Sequence, residues 1–192
     1  MSTALRVPRM TQDQFLDWAE AQEGRFEFDG FEPVAMTGGI ANHNLIGINI
    51  LVALRQRLRG TGCRPLGPDA GLATIGDAVR YPDGLVTCSQ FRGTDRLIPG
   101  AVVVFEVVSP TSGRMDRIVK VREYAAVPSI RRYVIVESAC TGLTVLSRAE
   151  AGQDWTLKTL TLGDTLPLPE IGIEVAVTEF YEDVDTEAAG AF

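Results

Sequence analysis

An apolar run that ends in a carboxylate constrains this chain more than any other feature. Ala101–Phe105 contains no polar residue, which predicts a buried strand, and Glu106 follows at once. A carboxylate at the end of such a strand is costly to bury unless something binds it, and a divalent cation is one such partner. The run therefore predicts a central strand that carries Glu106 into a binding site.

Three further charged residues are candidates for the same site. Glu27 lies in a predicted hairpin, Asp83 follows Tyr81-Pro82, and Lys120 lies in a predicted helix. If they converge with Glu106, they form an oxygen-ligand pocket for Mg²⁺ or Mn²⁺ beside a cationic side chain, which is the chemistry of phosphodiester hydrolysis. In this hypothesis Asp83 and Glu106 are the metal ligands. Lys120 orients the attacking water or neutralises charge, and Glu27 supports the lysine or the metal-bound water.

Simpler interpretations of the same residues stay open. Asp83 also suits a turn, and Glu106 also suits an ion pair with an arginine. His43 is the only histidine and starts a predicted helix, where it either caps or packs the helix or contacts a phosphate. Asp116 either pairs with Lys120, one helical turn later, or simply begins its helix.

Apolar periodicity predicts helices and strands that alternate within one domain. A capping box at Thr11 and Gln14 starts the first helix, and Asp29-Gly30 is a strong hairpin-turn signal. The predicted helices cover 11–22, 41–59, 115–126 and 177–182, and the predicted strands and hairpins cover 25–34, 63–92, 101–108, 130–137 and 141–168.

This order favours an α/β fold in which helices flank a mixed sheet and antiparallel hairpins are added. We expect a single domain over residues 1–183 and a disordered acidic tail over residues 184–192. The helix over 41–59 has many apolar residues that are expected to form its buried face: Leu45, Ile46, Ile48, Leu51, Val52, Leu54 and Leu58, with Asn49 among them.

Composition restricts the partners and the compartment. The 192 residues carry a net charge of −7, which opposes a general basic footprint for nucleic acid, so any basic surface must be local. No apolar stretch is long enough to span a bilayer. Three scattered cysteines predict reduced thiols with structural roles in a cytoplasmic protein. The basic candidates are Arg55, Arg57, Arg59, Arg114, Arg117, Lys120, Arg122, Arg131 and Arg132.

Several motifs together resemble the Uma-two family of restriction-endonuclease-like proteins, over about residues 11–182. The most specific is Phe105–Ser112, which is close to that family's "VEVLSPS". The others are Arg25–Gly30 ("RYEL-DG"), Ala41–His43 ("S-x-x-H"), Tyr81–Asp83 ("QPD"), Asp116–Tyr124 ("D-x-x-x-K-x-x-x-Y") and Val127–Val136 ("GVPEYWLVD").

The resemblance implies the PD-(D/E)XK nuclease fold, with Glu27, Asp83 and Glu106 as the acidic set. The usual lysine lies two residues after the second acid, but that position is Val108 here, and the family pattern supplies the lysine from the next helix as Lys120. The implied function is a Mg²⁺- or Mn²⁺-dependent endonuclease that acts on nucleic acid, DNA above all, as a homodimer.

Two other functions are compatible with the sequence. The same fold can serve as a catalytically silent binding or assembly module, which the acidic composition favours. A hydrolase of nucleotides or other small phosphates would instead cleave free nucleotides and leave polymers intact.

Overall fold

A six-stranded mixed sheet forms the centre of the computed structural model, which describes residues 10–109 and 115–186. The helices are α1 (Gln12–Glu20), α2 (Ala41–Arg57), α3 (Val121–Ala125) and α4 (Val177–Phe180), with a π-helical segment (Met115–Lys120) and a 3₁₀ turn (Pro169–Ile171). The strands are β1 (Phe26–Phe28), β2 (Pro33–Ala35), β3 (Arg64–Leu66), β4 (Leu72–Ala73), β5 (Val79–Arg80), β6 (Gly84–Thr87), β7 (Ala101–Val108), β8 (Arg132–Glu137), β9 (Leu143–Ser147), β10 (Thr156–Leu160), β11 (Thr165–Leu168) and β12 (Ile173–Ala176).

Strand β7 is central, as its apolar run predicts. The large sheet has the order β10-β9-β8-β7-β6-β3, and only the β7–β8 pair is parallel. The chain reaches β8 from β7 through the π-helical segment and α3, which form a helical crossover between the parallel strands. The predicted mixed sheet with added antiparallel hairpins is therefore confirmed.

A smaller antiparallel sheet with the order β2-β1-β5-β4 adjoins the large one. The predicted hairpin forms β1 and β2, and Gly30 in its turn has a positive φ of 88°. Strand β5 leads through Tyr81-Pro82-Asp83 directly into β6, so one segment connects the two sheets. Strands β11 and β12 form a separate pair.

Apolar clusters cover both faces of the large sheet. Successive side chains of β7 point to opposite faces of the sheet. Phe105 therefore packs toward α2, and Val104 packs toward α3. The predicted burial on α2 is only partly right, because Ile46, Leu54 and Leu58 are buried but several other predicted core residues are not. Those that remain exposed or at the edge of exposure are Leu45, Ile48 and Val52.

The cysteine prediction is wrong. Antiparallel pairing of Arg64 with Thr87 brings Cys63 and Cys88 side by side across β3 and β6, and the two are joined by a disulfide. Cys140 is a free thiol but is exposed, not a buried packing residue. The cysteines therefore do not indicate a reducing compartment.

Some predictions fall outside the described residues. These are the loop over 110–114, the side chain of Asp116 and residues 187–192 of the expected acidic tail. Within the described residues, the helices are all too short or too polar to cross a bilayer.

Candidate active site

Asp83 and Glu106 come together through strand register. Gly84 pairs with Phe105 in the antiparallel β6–β7 ladder, so Asp83, one residue before, stands opposite Glu106, one residue after. The Asp83 Oδ2 atom accepts a 2.7 Å hydrogen bond from the backbone N–H of Val107, which fixes its carboxylate beside the end of β7. The sequence predicted both acids at strand ends. In the structure Asp83 directly precedes β6, whereas Glu106 lies inside β7, two residues before its end.

Two side chains from the crossover helix bind Glu106. Lys120 Nζ lies 2.9 Å from Glu106 Oε1, and the Tyr124 hydroxyl donates a 2.7 Å hydrogen bond to the same oxygen. Glu106 is only 4% exposed and Lys120 only 6%. Burial raises the pKa of Tyr124 well above its usual value, and the negative charge of Glu106 raises it further, so the hydroxyl stays a donor. Among the described residues, Glu106 forms its ion pair with Lys120.

Glu27 connects the small sheet to this pair. Its Oε1 atom accepts a 3.1 Å hydrogen bond from the backbone N–H of Tyr81 and lies 3.4 Å from Lys120 Nζ. Its Oε2 atom accepts from the Arg80 guanidinium at 3.1 Å. Lys120 therefore lies between two carboxylates that belong to different sheets.

Arg80 and Glu123 complete the network, and the sequence interpretation missed both. Arg80 donates two 2.6 Å hydrogen bonds to the Glu123 carboxylate and is 2% exposed. Burial alone would lower the Arg80 pKa, but the hydrogen bonds and charges of Glu123 and Glu27 outweigh it, and the net pKa is raised. A charged residue between apolar Val79 and Tyr81 was the available signal, because such a position in a strand needs a buried partner.

His43 approaches the site from the start of α2. Its Nε2 atom lies 3.4 Å from Asp83 Oδ2, so the histidine contacts a candidate metal ligand. Contact with a phosphate stays a prediction. The proposed pairing of Asp116 with Lys120 lies outside what the structure describes.

These groups line one open cleft of about 1130 Å³. Its walls come from β2, the first half of α2 and the π-helical segment, and its floor includes Glu27, Asp83, Glu106 and Lys120. The structure thus brings all four sequence-predicted residues into one place, with His43 at the rim.

The donor set suits a hard divalent cation in part. Carboxylate oxygens are the ligands that Mg²⁺ takes, and it is often held by only one or two of them together with water and substrate phosphate. Asp83 and Glu106 meet that minimum. In the described part of the chain, however, no group of three or more acidic, histidine or cysteine side chains is arranged to hold a metal.

The chain resembles known proteins over nearly its whole length. Residues 12–178 match the family model Uma2, described as "Putative restriction endonuclease", which confirms the resemblance predicted from the motifs. "Uncharacterized protein slr1290" of Synechocystis sp. (strain ATCC 27184 / PCC 6803 / Kazusa) is 28% identical over 183 residues, which cover 94% of this chain and 95% of that protein.

A solved structure shares the architecture. It comes from Anabaena variabilis ATCC 29413, is described as "a putative nuclease belonging to DUF820", and matches with a TM-score of 0.70 at 13% sequence identity. The match covers 90% of this chain and 97% of that chain. At this identity the likeness shows a common fold, that of a nuclease-like mixed sheet flanked by helices.

Proposed function

This chain belongs to the Uma2 family, and on that premise we propose that it is a Mg²⁺- or Mn²⁺-dependent endonuclease that hydrolyses phosphodiester bonds, with DNA as the favoured substrate. One observation carries the proposal: Asp83 and Glu106 face each other across β6 and β7 while Lys120 lies 2.9 Å from Glu106. Two carboxylates can hold a divalent cation that activates a water, and the neighbouring ammonium can neutralise charge on the phosphate.

The charge of the site supports a divalent cation. Among the described residues, the ion pairs and hydrogen bonds of the site bring four carboxylates together with two permanent cations. Neighbouring carboxylates repel unless a cation lies among them. The carboxylates are Glu27, Asp83, Glu106 and Glu123, and the cations are Arg80 and Lys120. A bound Mg²⁺ or Mn²⁺ would supply electrostatic stabilisation of the phosphate and a lower pKa for an attacking water.

The protein side chains have distinct tasks in this proposal. Asp83 and Glu106 hold the cation, and Lys120 neutralises negative charge as it develops on the phosphate oxygens. Glu27 positions Lys120 because its Oε1 atom lies 3.4 Å from the ammonium. Hydrolysis forms a bond between water oxygen and phosphorus and breaks the bond to the leaving ester oxygen, which takes up a proton.

We also propose that two copies act together, because cutting both strands of a duplex takes two hydrolytic events. The edge strand β10 offers a pairing surface, since nothing in the described chain pairs with its outer side and Leu157 is 62% exposed. Light scattering at micromolar concentration is expected to give a dimer mass, and Leu157→Asp is expected to lower it. A monomer mass for the wild type would contradict the pairing.

Cleavage of supercoiled plasmid tests the function directly. Wild type with Mg²⁺ or Mn²⁺ is expected to nick or linearise the plasmid, and Asp83→Ala to abolish this. Asp154→Ala is the matched control, because it removes an exposed carboxylate that does not line the cleft. Equal cleavage by wild type and Asp83→Ala would exclude the proposed role of Asp83. Hydrolysis of free nucleotides without plasmid cleavage would favour a small-phosphate hydrolase.

A catalytically silent nuclease-fold module is the second candidate. Two observations favour it: no described cluster offers three metal ligands, and Lys120 already neutralises part of the Glu106 charge. Thermal unfolding with Mn²⁺ separates the two candidates without relying on cleavage. The endonuclease requires that Mn²⁺ raise the melting temperature of wild type and of Asp154→Ala but not of Asp83→Ala. The same melting temperature with and without Mn²⁺ in all three proteins would favour the silent module.

A further inference from the structure

Three arginines beyond the cleft have no carboxylate partner among the described residues. Arg55 lies in the last turn of α2, Arg59 follows two residues after its end, and Arg64 begins β3. All three are exposed. Their neighbour Arg57 differs, because it forms a 2.6 Å ion pair with Glu179. In a protein with a net charge of −7, a patch of arginines without described counter-charges is a local exception to the overall charge.

The arginines lie along a depression that continues from the cleft. Ile48 and Leu51 line both the cleft and a neighbouring groove of about 520 Å³, which Arg55 and Arg59 also line. The two arginines then border a smaller hollow of about 340 Å³, which Arg64 also lines. We name the path formed by Arg55, Arg59 and Arg64 the arginine track.

The geometry of α2 sets the distance from the reaction site to the track. His43 lies 3.4 Å from Asp83 at the start of the helix, and Arg55 follows twelve residues later. At about 1.5 Å per helical residue the separation is about 18 Å along the axis. A duplex rises about 3.4 Å per base pair, so this is about five base pairs from the scissile bond.

We propose that the arginine track binds the phosphate backbone of a polynucleotide whose scissile bond lies in the cleft. Guanidinium groups suit this task because they stay charged and bind phosphate oxygens with two parallel hydrogen bonds. The proposal rests on the proposed function for the position of the scissile bond. The proposal adds that the substrate is a polymer, which the track contacts about five base pairs from the scissile bond.

A second copy of the chain is a weaker occupant for the same surface. Exposed Ile48 and Val52 on α2 would suit a protein contact. A two-fold contact through this face, however, would bring the Arg55 and Arg59 charges of both subunits into one interface. Like charges held together in this way are destabilising, whereas a phosphate backbone neutralises them.

Binding measured without metal tests the track independently of cleavage. The probe is a fluorescent 20-base-pair duplex in EDTA, with single-stranded DNA and RNA of the same sequence as further arms, titrated by anisotropy at several salt concentrations. Arg55→Ala/Arg59→Ala is compared with wild type and with Arg96→Ala/Arg122→Ala. That control removes two exposed positive charges outside the cleft and the track.

The track predicts that the slope of log affinity against log salt becomes shallower by about 1.8 in the arginine variant, because two phosphate contacts are lost. The control is expected to keep the wild-type slope. Equal slopes for the arginine variant and the control would overturn the proposal. So would a wild type that binds none of the probes, or an arginine variant that changes the dimer mass by light scattering and leaves binding intact. Failure of plasmid cleavage with an intact salt effect would contradict only the proposed catalysis.

Discussion

Lys120 Nζ lies 2.9 Å from Glu106 Oε1, although the two side chains come from a helix and a strand that are separate in the sequence. The position two residues after Glu106 is Val108, which is fully buried in the core. The positive charge therefore reaches Glu106 only because the crossover helix packs against β7. Tyr124, on the same helix, donates to the same carboxylate oxygen and reinforces that packing.

Lys120→Met is expected to reduce plasmid cleavage by at least about 100-fold, because a charge aimed at the developing phosphate anion is lost. It is also expected to lower the free energy of unfolding by about 3–5 kcal/mol, since buried Glu106 loses its ion-pair partner. Cleavage assays and urea denaturation measure the two effects. Arg122→Met, an exposed change two residues away, is the control and should leave both near wild type. Full cleavage by Lys120→Met would exclude its catalytic role.

Arg80 is expected to hold the two sheets and the crossover helix together. Arg80→Met leaves Glu123 and Glu27 buried without their guanidinium, so we expect a loss of about 3–5 kcal/mol in the free energy of unfolding. Arg96→Met removes an exposed ion pair with Asp17 and should cost far less stability, because solvent screens exposed pairs. Urea denaturation compares them, and equal losses would contradict the role of Arg80.

The sequence was sufficient to predict the central strand and the site carboxylates for local reasons. The apolar run before Glu106 predicts a buried strand, and Asp83 after Tyr81-Pro82 marks the boundary of another. Their meeting depends on the β6–β7 register, which the single sequence does not contain. The motif resemblance supplied that long-range information.

Other features could not be predicted because they depend on partners distant in the chain. Cys63 and Cys88 are 25 residues apart, and only the β3–β6 pairing makes them neighbours. The helix α2 has apolar residues on more than one side, so periodicity could not tell that Ile46 faces the core and Ile48 does not. Arg80 has no local pattern that identifies Glu123 as its partner.

The disulfide between Cys63 and Cys88 can be tested by counting the free thiols. Thiol titration of native protein without reductant is expected to find one reactive thiol, Cys140, and titration after reduction in denaturant is expected to find three. Cys63→Ser/Cys88→Ser should lower the free energy of unfolding by about 3 kcal/mol, because the closed loop restrains the unfolded chain. Three thiols in the unreduced, denatured protein would contradict the bond.

Stability is expected to fall at alkaline pH because of Tyr124. Burial, then the charge of Glu106, raises the pKa of Tyr124 well above 10, whereas an unfolded tyrosine ionises near 10. Above pH 10 the unfolded state loses a proton that the folded state keeps. The free energy of unfolding therefore decreases with rising pH, by up to about 1.4 kcal/mol per pH unit.

Tyr124→Phe should make that decrease shallower and lower stability by about 1.5–3 kcal/mol at pH 8, since Glu106 loses a donor. Tyr181→Phe is the comparison. Burial raises the pKa of Tyr181 to about 12, so Tyr181→Phe is also expected to make the decrease shallower between pH 10 and 11. Urea denaturation from pH 8 to 11 measures both, and an unchanged slope in Tyr124→Phe would refute the assignment.

Gly39 and Gly38 offer a paired test of the position of His43. A Cβ on Gly39 would lie 2.7 Å from His43 Cγ, whereas one on Gly38 would meet nothing within 4 Å. Gly39→Ala must therefore displace the imidazole that contacts Asp83. Because His43 is the only histidine, its single Hε1 resonance should move in Gly39→Ala and stay in place in Gly38→Ala. Plasmid cleavage should fall by about 10- to 100-fold in the first variant alone. A shifted resonance with full cleavage would show that His43 contributes nothing to the reaction.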